Sequence, residues 1–168
     1  MASQLSHVPT VGVSDRPSKS NLAIVCRVRD RHCALFASQV IETLRPLPTA
    51  PLAAMPPFVK GLAVIRGTPT PVVDAGALLG DTAEARPTRF VVIRLGERQV
   101  ALAVEAVLGV RALSSALLTD LPPLLRHASE DTVSKLGTLD AELLVVLDGA
   151  YLVPSSLWDQ LGLASAPA

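Results

Sequence analysis

Short apolar segments separated by turn-forming residues constrain this chain more than any other feature of its sequence. About nine such segments follow one another, with a turn signal roughly every ten residues, a spacing typical of all-β domains. No long helical pattern alternates with them, so Rossmann and TIM-barrel architectures are not expected. Strands this short and closely spaced predict a β-barrel or a β-sandwich.

Two β-hairpins are the clearest elements of this pattern. Leu22–Val28 and His32–Ala37 flank a polar tripeptide, and Val133–Leu139 and Glu142–Gly149 flank a turn at residues 140 and 141. Apolar runs that are interrupted by a few polar residues fold back on themselves as antiparallel pairs. These four segments are therefore predicted strands.

The middle of the chain predicts further strands and a brief helix. The predicted strands are Lys60–Gly67, Thr70–Asp74, Arg89–Gly96 and the long run Arg98–Leu113. Val40–Pro48 is predicted to be extended until its prolines end it. Asp74 is a suitable cap for a short helix that follows it. A second short helix is predicted at Ser155–Gly162, where Trp158 is interpreted as a packing anchor.

Composition excludes several classes of protein. The chain has 168 residues, of which 49% are hydrophobic, 3% aromatic and 18% charged, so it can bury a core built from small aliphatic side chains. Basic and acidic residues balance at 15 each, which gives no charge field for nucleic acid or an anionic membrane. The longest apolar runs, such as Leu143–Leu147, have about five residues, whereas a membrane helix needs roughly 18.

The amino-terminal residues predict neither a strand nor a targeting segment. Residues 1–20 are rich in serine, proline and small polar residues and are predicted to be a mobile tail. They lack a basic start followed by an apolar stretch, so no secretory signal is expected. The expected location is the cytoplasm.

Metal and thiol chemistry is not predicted. Cys26 and Cys33 lie across a hairpin turn and are interpreted as two buried free thiols. The three histidines, His7, His32 and His127, have no spacing typical of metal ligands. No metal or cofactor is therefore expected.

Catalytic motifs are also missing from the sequence. It contains no phosphate-binding glycine loop, zinc-protease motif, nucleophile elbow or paired-cysteine motif. Asp74, Glu105 and Asp148 each follow a valine-rich strand and could be imagined as paired carboxylates. The favoured interpretation is that they cap strand ends and face water. A small-ligand or catalytic barrel remains an alternative, which requires these carboxylates to lie together in a pocket.

The segment Phe58–Gly80, "FVKGLAVIRGTPTPVVDAGALLG", resembles the signature of the CheW family. The matching positions are Phe58, Gly61, Arg66, Gly67, Pro71, Val72, Val73 and Asp74. Two later segments, Arg89–Leu113 and Val133–Leu152, are similar to the strand pairs of the same family, and Val40 and Glu42 stand where it carries Val-x-Glu. The resemblance covers about residues 21–153.

The resemblance implies a fold and a function. CheW proteins have two small, SH3-like, five-stranded β-barrels with a hydrophobic groove between them, and short helices at loops and at the carboxyl terminus. Residues 1–20 would be a tail, 21–153 the CheW-like domain, and 154–168 a helix and tail. Family members are adaptors rather than enzymes. They couple the cytoplasmic tip of methyl-accepting chemoreceptors to the regulatory domain of a CheA-type histidine kinase, within membrane receptor arrays.

The resemblance also supplies candidate partner-binding residues. They are Arg66, Gly67, Glu42, Val40, Phe58, Gly61, Pro71 and Asp74. Departures such as Val64-Ile65, Pro69 and Glu105 leave open a related chemosensory pathway, for example one that controls pili. Exposed aliphatic side chains are expected to line a groove between the barrels.

Two of these candidates are predicted to form an ion pair. Packing does not explain Arg66, and Glu42 is its expected partner, either as a structural pair or as a means of presenting Arg66 to another protein. Pro71 is expected on an edge or at a strand start, because proline cannot donate to a ladder.

Overall fold

The computed structural model describes residues 21–121 and 132–162, which form eleven strands and two short α-helices. The predicted tail, His7, His127 and the loop prolines at 122 and 123 lie outside these residues. The strands are β1 (Leu22–Val28), β2 (Arg31–Phe36), β3 (Val40–Leu44), β4 (Val59–Ile65), β5 (Thr68–Asp74), β6 (Arg89–Leu95), β7 (Arg98–Val104), β8 (Ala106–Ala112), β9 (Thr119–Asp120), β10 (Val133–Leu139) and β11 (Glu142–Leu147). The helices are α1 (Ala75–Leu78) and α2 (Ser155–Gln160).

The strands form two sheets. One has the order β8-β1-β2-β11-β10-β9 and the other has the order β3-β6-β7-β5-β4. Neighbouring strands are antiparallel except for β2 with β11 and β5 with β7. The mostly-β, two-sheet architecture confirms the predicted fold class, with six strands rather than five in the first sheet because the two-residue β9 joins it.

Both faces of the central strands are buried, and alternation along each strand assigns side chains to different cores. In β6, Phe90 and Val92 pack within the five-stranded sheet, while Val91 and Ile93 face the six-stranded sheet. The same alternation in β11 separates a core inside the six-stranded sheet from the shared core. The result is three apolar layers, which explains why the strands are nearly continuous apolar runs.

The prediction of one continuous strand over Arg98–Leu113 is wrong, because the chain changes sheets at Glu105. β7 belongs to the five-stranded sheet and β8 to the six-stranded sheet. The backbone N–H of Glu105 donates to the carbonyl of Arg27 in β1 at 3.1 Å, which starts the new pairing. The five-stranded sheet is thus built from the continuous segment 40–104, and both ends of the described chain form the other sheet.

The hairpin between β4 and β5 explains why a glycine follows Arg66. Ile65 pairs with Thr68, so the connection has only two residues, and both have positive φ, +48° at Arg66 and +79° at Gly67. Two-residue turns with positive φ at both positions match the twist of the flanking strands. Glycine adopts this conformation without a Cβ penalty. The turn therefore fixes where Arg66 leaves the sheet.

The prediction for Pro71 is wrong in one respect. β5 lies between β4 and β7 rather than at an edge, and Pro71 is buried within it. Pairing with β7 begins at Val72, one residue later. The missing N–H of Pro71 therefore removes no bond from that parallel ladder, which is how a proline is accommodated inside this sheet.

The carboxyl-terminal helix α2 closes the shared core, and its tryptophan is the predicted packing anchor. Trp158 is 5% exposed and belongs to the core between the sheets, as does Leu157. The guanidinium carbon of Arg98 lies 5.1 Å from the centre of the indole ring, a cation–π distance. Within residues 21–121 and 132–162, the helices are too short or too polar to cross a bilayer.

The two cysteines are buried free thiols, as predicted, and they lie opposite each other in β1 and β2. Burial raises the pKa of Cys26 from 9.0 to about 12. Burial also raises the pKa of Cys33 to about 12, with a smaller contribution from the neighbouring Cys26. Each thiol favours folding below pH 9.0, and this contribution is lost as the pH rises toward about 12.

We expect both thiols to be unreactive until the chain unfolds. At about pH 8, the raised pKa reduces the thiolate fraction by about 1000-fold relative to an ordinary cysteine. Ellman's reagent should therefore modify the native protein slowly and the protein in concentrated guanidinium chloride at once. Rapid modification of both thiols under native conditions would contradict the assigned burial.

Candidate functional site

Arg66 and Glu42 form a bidentate ion pair, as predicted, and it joins the two edges of the five-stranded sheet. Arg66 Nε donates to Glu42 Oε1 at 2.6 Å, and Nη2 donates to Oε2 at 2.7 Å. Glu42 lies on β3 and Arg66 follows β4, which are the two edge strands. The sheet therefore curls until its edges meet, in agreement with a small barrel.

The pair holds a charged group at the surface in a fixed orientation. The Arg66 side chain is 79% exposed, whereas that of Glu42 is 21% exposed. The hydrogen bond from Arg66 lowers the pKa of Glu42, and the bond to Glu42 raises the pKa of Arg66. Both groups consequently stay ionised at neutral pH. Parallel hydrogen bonds to one carboxylate restrict the guanidinium, which lowers the entropy lost on binding a partner.

Exposed aliphatic side chains accompany this ion pair. Ile41 precedes Glu42 and is 39% exposed, and Val64 lies two residues before Arg66 and is 64% exposed. Leu108 and Leu143 are exposed on the six-stranded sheet. Neither sheet is thus uniformly charged. None of these large exposed aliphatics lines the cleft between the β6–β7 hairpin and α2. An aliphatic groove between the barrels stays a prediction.

The other candidate residues divide into surface and interior positions. Gly67 is exposed beside Arg66, while Val40 and Phe58 are half-buried against the core between the sheets. Gly61 and Pro71 are buried within their strands. The structure therefore places Glu42, Arg66 and Gly67 together at one surface location, the Arg66 site. The buried candidates pack inside the protein.

Asp74 is a buried member of a partly buried ionic cluster that the sequence did not reveal. The favoured interpretation that this carboxylate faces water is wrong, because Asp74 is only 4% exposed. Its Oδ1 accepts from the N–H of Ala77, which confirms the predicted helix cap, and lies 3.4 Å from Nη2 of Arg29. Lys60 Nζ lies 3.8 Å from Oδ2.

Arg29 connects this cluster to the other sheet. Its Nη1 forms an ion pair with Glu105 Oε1, and its backbone N–H donates to Glu105 Oε2 at 2.8 Å. Its Nη2 also donates to the carbonyl of Ala83 at 2.7 Å. Burial alone lowers the pKa of Arg29, but the hydrogen bond to Glu105 and the charges of nearby carboxylates raise it, and the net shift is upward.

The catalytic alternative required three carboxylates in one pocket, and the structure brings only two of them together, both paired with Arg29. Asp74 and Glu105 are both engaged by Arg29, and Asp148 lies elsewhere, where it caps the 3-10 turn Gly149–Tyr151 by accepting from Ala150 N at 3.0 Å. In the described part of the chain, no three histidine, cysteine or carboxylate side chains are grouped as a metal site. The only sequence signal for Arg29 was its place in the polar turn between β1 and β2.

The architecture and its residues define a CheW-like domain, and the family model for that domain matches residues 22–156. The chain therefore belongs to the CheW family, as its sequence predicted. Its fold is similar to that in the crystal structure of the scaffolding protein TtCheW from Thermoanaerobacter tengcongensis. The match has a TM-score of 0.69 and 18% identity, and covers 79% of this chain and 92% of that chain.

Proposed function

We propose that the protein is a non-enzymatic adaptor that couples methyl-accepting chemoreceptors to a CheA-type histidine kinase. Family membership supports an adaptor, and the similar structure is that of a scaffolding protein. The observation that carries the proposal is the Arg66 site, a fixed, highly exposed guanidinium whose ion pair lies close in sequence to the exposed residues Ile41 and Val64. Arginine and aliphatic anchors of this kind are typical of protein–protein interfaces.

Each partner has a defined role in this proposal. The receptor contributes its cytoplasmic tip and the kinase its regulatory domain, and the adaptor works in the cytoplasm at receptor arrays. The kinase and receptor belong either to a motility pathway or to a related chemosensory pathway such as one for pili. An adaptor needs no catalytic group, and the proposal gives Asp74 and Glu105 a structural role as partners of Arg29.

We expect Arg66→Ala to weaken capture of one of these partners by at least about tenfold, the scale of an interface hot spot. Capture is measured separately with the purified kinase regulatory domain and with the receptor tip from the same source. Glu42→Gln should weaken the same interaction less, because Arg66 remains but loses its charged anchor. Arg111→Ala, which removes an exposed arginine from β8 on the other sheet, is the matched control.

The outcomes separate two roles for Arg66. If wild-type protein captures both partners and Arg66→Ala does so equally well, the adaptor proposal stands and Arg66 is only a structural clamp between sheet edges. If the wild-type protein captures neither partner, the proposed coupling is wrong.

A further inference from the structure

A cleft of about 470 Å³ lies between the β6–β7 hairpin and the segment that carries α2. Leu95, Val153 and Trp158 form its apolar wall, and Gln39, Arg94 and Arg98 supply polar groups. It is separate from the Arg66 site, since none of Glu42, Arg66 and Gly67 lines it. A concave site with an apolar wall and a few polar groups is the usual form of a ligand site.

The cleft carries positive charge that forms no ion pair with the described residues. Its lining includes two arginines and no carboxylate. Neither Arg94 nor Arg98 takes part in an ion pair within residues 21–121 and 132–162, and Glu97, the carboxylate of the same hairpin, pairs with neither of them. Charge complementarity therefore favours an anionic group.

Two residues that line the cleft each have a buried polar atom without a hydrogen-bond partner. The atoms are Nε of Arg98, which donates, and Oε1 of Gln39, which accepts. Buried polar groups are almost always paired in folded proteins, because an unpaired one loses its bonds to water without replacement. A ligand that satisfies both atoms must offer an acceptor to Arg98 and a donor to Gln39.

We propose that this cleft binds an acidic peptide segment of a partner protein. A glutamate or aspartate carboxylate accepts charge-assisted hydrogen bonds from Arg98, and a peptide N–H donates to Gln39. The aliphatic part of the peptide's acidic side chain lies against Leu95 and Trp158. A peptide carries all three features in one chain. The proposal is independent of which protein binds at the Arg66 site.

Trp158 provides a direct readout, because it is the one tryptophan in the chain and it lines the cleft. The full chain is titrated with a terminally blocked peptide that has two adjacent glutamates, with its glutamine counterpart and with free glutamate. We expect a saturable change in indole fluorescence with the glutamate peptide only. Arg98→Gln and Gln39→Leu should each weaken the interaction at least tenfold, whereas Arg111→Gln should not.

Gln39→Leu keeps the experiment decisive, since it leaves the Arg98–Trp158 contact and its fluorescence in place. Equal responses to the two peptides, or no saturable response, would overturn the proposal. Saturation by free glutamate without a response to the peptide would also overturn it, because the cleft would then take a small carboxylate. Failure here would leave capture of the kinase and receptor unaffected, so the two proposals are tested separately.

Discussion

Gly61→Ala should destabilise the protein by about 4 kcal/mol or more, because it combines backbone strain with a clash. Gly61 has φ of +138°, and a Cβ there would lie 2.0 Å from the carbonyl oxygen of Ala50. The connector before β4 would have to move away, which breaks the two hydrogen bonds between Ala50 and Leu62, at 2.8 and 2.9 Å. Denaturant unfolding of both proteins measures the difference.

Gly109→Ala is a matched control for this effect. Gly109 has nearly the same φ, +134°, but no atom lies within 4 Å of its ideal Cβ position. Gly109→Ala should therefore lower the free energy of unfolding by the cost of backbone strain alone, about 1–3 kcal/mol. If the two variants lose equal stability, the close approach of Ala50 is not what requires a glycine at position 61.

Arg29→Met has the second largest expected effect, a loss of about 2 kcal/mol in the free energy of unfolding. The substitution leaves the carboxylates of Asp74 and Glu105 without their shared cation, and breaking a buried pair usually costs more than the pair contributes. The value is below that of a fully buried pair because the side chains of Arg29 and Glu105 are 15% and 18% exposed, so water partly screens the carboxylates that remain. Methionine retains most of the packing volume, so the loss measures the charge and its hydrogen bonds.

Arg31→Met tests whether the position of the charge matters. Arg31 lies in the same hairpin and pairs with Asp81 at 2.9 Å, but its side chain is 38% exposed. Exposed pairs of this kind contribute at most about 1 kcal/mol. Equal losses in the two variants would contradict the special role of Arg29 in joining the sheets.

The hairpins were predictable because their signals are local. The turn between β10 and β11 was located from the sequence, and both of its residues, Asp140 and Ala141, have positive φ. The Arg66–Glu42 pair was predictable for a different reason, since a family resemblance placed two distant segments together. Alternation of apolar residues alone could not have done so, because β3 and β4 are not neighbours in the sheet.

Two features were not predictable because they depend on tertiary assembly. Glu105 is predicted to follow a strand, and β7 does end at Val104. The apolar periodicity nevertheless continues from residue 98 to 112, so it does not show that the chain changes sheets there; the new pairing with β1 decides it. Arg29 looked like an ordinary turn residue for the same reason. Its role depends on Asp74 and Glu105, which come from two other segments of the chain.

The strands of the five-stranded sheet lie in the sequence between the strands of the six-stranded sheet, and this order affects folding during synthesis. β1 and β2 leave the ribosome first, but their outer neighbours, β8 and β11, are made only after the whole of the segment 40–104. That segment contains every strand of its own sheet and can fold while the amino-terminal hairpin still has two unpaired edges. Such long-range pairing is slow and leaves edges open to aggregation. We therefore expect chaperone dependence and sensitivity to carboxyl-terminal truncation to concentrate in the six-stranded sheet.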